Sequence, residues 1–137
     1  MAWLNATPRP DERTKAAEPK YERKRLSRQE QMKKDGVPVR MPPNPLPHLV
    51  GWFVEIGISE ANGMGASPLS WGEINEWQRA TGVALSPWEA RLIRRLSTEY
   101  LAESRKAESE NHPAPWRAAP TQREREAEQR ALERVLG

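Results

Sequence analysis

The sequence contains no cysteine, which excludes a disulfide framework and any thiolate metal site. It has only two histidines, His48 and His112, both in proline-rich surroundings, so an imidazole base or a histidine metal centre has little to be built from. No Ser-His-Asp constellation and no Asp-rich calcium pattern occurs, and Gly63-Met64-Gly65 lacks the Lys-Ser/Thr sequel and the third glycine of a phosphate-binding loop. We therefore expect no catalysis, no cofactor and no metal. Apolar runs are short as well. None approaches the roughly 20 residues that cross a bilayer, and the N-terminal stretch lacks the apolar segment of a signal peptide. The expectation is a soluble protein of a reducing, intracellular compartment.

What the chain has instead is charge and proline. With 30% charged residues, 13 prolines and a mean hydropathy of -0.88, its apolar content suffices for a small core and not for packing all 137 residues. The charge is uneven. Residues 1–41 carry 11 Lys and Arg against 6 Asp and Glu, a net +5, whereas residues 42–103 carry 4 against 7, a net -3. Residues 104–137 return to +1, with 7 against 6. This divides the chain into a basic, flexible arm (1–41), a core domain (42–104) and a charged tail (105–137). The arm is rich in helix formers from residue 21 to 34 but has no apolar face to bury, and its tip bears Trp3 and Leu4 as a candidate anchor for a partner. Four prolines among residues 42–47 favour an extended, stiff linker between arm and core.

In the core, Leu49, Trp52, Phe53 and Ile56 fall at helical spacing, predicting a first helix over about 46–58. Residues 59–68 read as a flexible connection. Ser70 followed by Glu73 is a capping box, in which the hydroxyl accepts from the third helical N–H and the glutamate reaches back to the cap, so a second helix spans about 71–81. Ser86 and Glu89 repeat the device with Pro87 at the first helical position, opening a third helix over about 87–104. Thr81-Gly82 closes the helix between them. Trp77 and Trp88 read as structural, Trp88 heading a stripe with Leu92, Leu96 and Tyr100, while Arg91, Arg94 and Arg95 are left on the outer surface as candidates for partner binding. A further helix over about 121–136 is expected in the tail, with Ala131, Leu132, Val135 and Leu136 as its weak apolar face. The fold class is all-α: a three-helix core with extended or partly helical charged arms.

Two capped helices with arginines on the second also fit a helix-turn-helix that would read a major groove. Against that stand the net acidic core, a connection over residues 81–86 longer than the usual 3 to 4 residues, and an apolar helix start where base-reading side chains belong. A basic arm keeps nucleic acid as the second reading.

The proline-rich lead-in, Trp52-Phe53, Gly63-Met64-Gly65, Ser70-Trp71-Gly72-Glu73-Ile74, Trp77, Thr81-Gly82 and Leu85-Ser86-Pro87-Trp88-Glu89 with Leu92, Leu96 and Tyr100-Leu101-Ala102 together resemble the tail assembly chaperones of long-tailed bacteriophages. The resemblance covers roughly residues 42–103, and Ser86-Pro87-Trp88-Glu89 is its most specific part. It implies an all-helical protein of the host cytoplasm that binds the tape-measure protein and tail-tube subunits before the tube polymerises. It carries over no site residue, and it opens a third reading, a minor structural protein of the virion.

Overall fold

The structure, a computed structural model, describes residues 1–11, 24–116 and 122–137. Residues 12–23 of the expected arm, and residue 121 at the expected start of the tail helix, lie outside the described residues. Along the chain come α1 (Ala2–Asn5), α2 (Arg28–Lys34), α3 (Pro47–Ile56), β1 (Ser59–Asn62), β2 (Gly65–Pro68), α4 (Trp71–Thr81), α5 (Pro87–Lys106) and α6 (Gln122–Leu136).

The all-α expectation does not hold. Where a loop was expected, β1 and β2 form an antiparallel hairpin in the register Ser59 to Pro68, Glu60 to Ser67, Ala61 to Ala66 and Asn62 to Gly65. The fold is mostly helical with a two-stranded sheet. The turn is made by residues suited to it: Asn62 Oδ1 accepts from Met64 N at 2.9 Å, and Gly65 takes a φ of 125°, open only to a residue without a Cβ. Met64 at the tip is 99% exposed.

The core lies where α3, α4 and α5 meet under the base of this hairpin. Leu49 and Phe53 from α3, Leu69 between β2 and α4, Ile74 from α4 and Ile93 from α5 form its centre, each buried. Met1, Leu46, Trp52, Ile56, Ile58, Leu85, Leu92, Leu96 and Tyr100 pack around them. Ser97 on α5 is completely buried there and joins both ends of the hairpin: its hydroxyl accepts from Leu69 N at 2.9 Å and donates to the carbonyl of Ile58. Ile58 has a φ of 67°, which a β-branched residue adopts only under constraint. The constraint is visible on both sides, since its N–H donates to Phe53 O at 3.2 Å and its carbonyl accepts from Ser97.

A second packing centre sits at the far end of α5. Arg28 opens α2, behind a Ser27–Glu30 capping box, and its buried guanidinium donates to the carbonyls of Trp3, Ala107 and Ser109. It thus satisfies acceptors left over where α5 ends, at the negative pole of that helix. The same guanidinium lies 4.6 Å from the centroid of the Trp3 ring. Burial pushes its pKa below the usual value, and the nearby Glu103 charge opposes that shift. Arg9 N donates to Glu108 O at 2.8 Å, so the N-terminal stretch runs alongside the end of α5.

Candidate partner-binding face

The outer face of α5 is defined by its inner one. Ser86 and Glu89 form the complete reciprocal box, Ser86 N donating to Glu89 Oε2 at 2.8 Å, with Pro87 opening the helix. From that start, Ile93, Ser97 and Leu101 turn inward and are buried. Helical geometry then leaves Trp88, Arg91 and Arg95 on the opposite side, with Arg94 toward one flank. All four are exposed, Trp88 by 57%.

Trp71 closes the flank. It is the first residue of α4, and the Arg94 guanidinium lies 5.4 Å from its ring centroid. Together with Arg91, Arg95, Thr98 and Glu99 the pair lines a cleft of about 300 Å³. Trp71 is held there from the hairpin, because the cap of α4 is arranged differently from the sequence expectation. Ser70 Oγ does accept from Glu73 N at 3.2 Å, but it is Glu60 of β1, not Glu73, whose carboxylate accepts from Ser70 N at 2.9 Å and from the Ser70 hydroxyl. Those two hydrogen bonds, the hydroxyl's first, hold the Glu60 pKa below the usual carboxylate value against a smaller opposing effect of burial. The hairpin therefore supplies half of the cap.

Among the described residues, none of Arg91, Arg94 and Arg95 is within ion-pair distance of a carboxylate. Arg91 stands three and four positions before the other two, a like-charge spacing that costs a helix about 0.2–0.5 kcal/mol per pair. The face thus gathers unneutralised cations and two partly exposed indoles on an otherwise acidic core.

The other candidate residues lie elsewhere. Trp77 packs with its ring centroid 6.0 Å from that of Trp52, and its indole N–H is buried without a hydrogen-bond partner among the described residues. Trp88, placed by its four-residue spacing on the core stripe, is instead exposed and lies outside the core cluster. Side chains lean toward a helix's N-terminus, so a tryptophan in the first turn reaches past the end of its own helix.

Trp3 is occupied within the chain. Its indole N–H donates to His112 O at 2.8 Å, and its ring meets Trp116 edge-on at 5.8 Å. Trp116 in turn donates to Arg40 O at 2.7 Å. Arg28 was not among the candidates: Ser27 and Glu30 at capping-box spacing signal the helix start at Arg28, whereas its burial depends on carbonyls of Trp3, Ala107 and Ser109 that are distant in sequence. His48 lies edge-on to Trp52 at 5.2 Å, and His112 Nε2 lies 2.8 Å from Glu103 Oε1.

Among the described residues no three His, Asp or Glu side chains are grouped to hold a metal ion, and no helix is long and apolar enough to cross a membrane. No curated protein and no solved structure matches the chain. A family model described as phage tail assembly chaperone matches residues 26–102, more than half of the chain and a span that includes α2, α3, the hairpin, α4 and most of α5. The chain belongs to the phage tail assembly chaperone family.

Proposed function

We propose that the protein is a non-catalytic adaptor of tail assembly that binds the tape-measure protein and soluble tail-tube subunits in the host cytoplasm and leaves before the particle matures. The family match over residues 26–102 carries this reading. The outer face of α5 supports it, because Arg91, Arg94 and Arg95 carry charge that nothing described in the chain neutralises. We place the partner contact on these arginines rather than on Trp3, whose indole is engaged with His112, Trp116 and Arg28.

The test is capture of the tagged, full-length chain from infected cells, followed by identification of what it retains. Recovery of tail-tube or tape-measure protein is the expected result; recovery of neither overturns the adaptor reading. Mass spectrometry of purified particles gives the second arm, since the chain should be missing from mature virions and its stoichiometric presence there would make it a structural component instead.

A further inference from the structure

We infer that the cleft between Trp71 and the arginines of α5 binds an acidic protein segment, one that presents a carboxylate to the guanidinium groups beside an apolar side chain set against the indole. The inference rests on the adaptor reading for the partner's origin but on this chain's own geometry for its chemistry.

Three features converge on that occupant. The first is charge complementarity. Arg91, Arg94 and Arg95 are exposed and unpaired among the described residues, although the 42–103 region around them is net -3 and carries seven carboxylates. Four of those seven are used elsewhere: Glu60 and Glu89 bind the caps of α4 and α5, Glu103 meets His112, and Glu76 lies 3.7 Å from Arg79; Glu99 lines the cleft itself but, among the described residues, forms no ion pair with its arginines. The second is the chemistry of the donors. A guanidinium is a planar fork that matches a carboxylate with two parallel hydrogen bonds while its flat face remains free to stack. Arg94 already lies over the Trp71 ring, which restricts its motion before a partner arrives. The third is shape. A cleft of about 300 Å³ with Trp71 on one side admits a side chain of leucine or phenylalanine size as well as the carboxylate.

A nucleic-acid backbone is the less fitting anion. Duplex DNA presents one negative charge per roughly 1.7 Å and is bound by extended cationic surfaces. Here the cationic strip spans residues 91–95, with Glu89 before it and Glu99 closing the cleft. Those carboxylates interrupt a continuous phosphate track, whereas a single carboxylate can sit between them on the arginines.

Three labelled peptides of about a dozen residues test this by fluorescence anisotropy on the full-length chain at low and moderate salt: one alternating Glu and Leu, its Gln–Leu counterpart, and its Lys–Leu counterpart. A short DNA duplex is the fourth probe. The Glu–Leu peptide should bind at least about tenfold more tightly than the Gln–Leu peptide, and that preference should shrink as salt rises. A chain carrying R91E, R94E and R95E should lose the preference and favour the Lys–Leu peptide, with its circular dichroism unchanged because these positions are exposed. Trp71→Ala should weaken the Glu–Leu peptide with a smaller change in salt dependence than the arginine reversals produce. Equal affinity for the Glu and Gln peptides, an unaltered preference after charge reversal, or tighter binding of the duplex would each overturn the proposal. The peptide result does not depend on any tail protein, so it separates failure of this inference from failure of the adaptor reading. If capture from infected cells succeeds and the peptides show no charge preference, the adaptor stands and the acidic-segment site falls.

Discussion

Ser97 is buried on α5 with its hydroxyl committed twice, to the N–H of Leu69 and to the carbonyl of Ile58. A serine in the middle of a helix can turn its hydroxyl back to its own helix, so its use across the core needs neighbouring groups in fixed positions. Replacing it by alanine would leave the Leu69 N–H buried without an acceptor, at a cost of about 1–3 kcal/mol. Urea denaturation should therefore show Ser97→Ala unfolding at a lower midpoint with a nearly unchanged slope. Thr98 next to it is exposed, and Thr98→Ala should leave the midpoint almost where it was. Neither bond of Ser97 could be read from the sequence, where a lone serine in a helical stripe looks like a small interruption of the apolar face. The positive φ of Ile58 was hidden for the same reason, since it depends on residue 97 holding the carbonyl of residue 58.

At the scale of elements, the hairpin and α4 act as one piece because Glu60 completes the cap that Ser70 begins. The pH dependence follows from the lowered pKa of Glu60. A carboxylate whose folded pKa is depressed stabilises the fold above its unfolded pKa, and the contribution disappears as pH falls through the folded value. Thermal melts of the native chain should thus lose stability as pH is lowered below the ordinary glutamate range. Glu60→Gln should be less stable near neutral pH and show a shallower acid dependence; parallel pH profiles for the two chains would refute the assignment. The helix starts at Trp71 and Pro87 were legible from their serine caps; at Pro87 the glutamate three residues on completes the box, whereas at Trp71 the reciprocal partner is Glu60 and not Glu73, which local sequence did not state. The hairpin was less so. Asn62-Gly63 is a turn signal, but Ser59–Asn62 and Gly65–Pro68 contain no β-branched or aromatic residue, and their pairing is supported from outside by α5. The exposed arginines of the candidate face were legible from helical periodicity, while Trp71 was not, since its place beside Arg94 depends on how α4 crosses α5.

For the whole molecule, the two ends of the chain contribute unequally. Every residue of α6 whose burial is described is exposed, including Leu132, Val135 and Leu136. In contrast, Ala2 and Leu4 are buried, and the N-terminal stretch hydrogen-bonds to residues 108 and 112. Removing residues 122–137 should shift the thermal midpoint very little, whereas removing residues 1–11 should lower it by several degrees through the loss of buried apolar area. Differential scanning fluorimetry on the two truncations checks both outcomes, and equal shifts would contradict this division.

The contact between Trp3 and His112 spans 109 positions of sequence. A chain that emerges from a ribosome in order must carry Trp3 and Leu4 unsheltered while nearly all the remaining residues are made. The region around α3, the hairpin, α4 and α5 can close over its own apolar side chains well before the two ends meet. Closure of the Trp3–His112 contact should therefore follow closure of the centre, and quenched-flow hydrogen exchange should show residues 2–5 gaining protection after α3, α4 and α5; simultaneous protection would contradict that order.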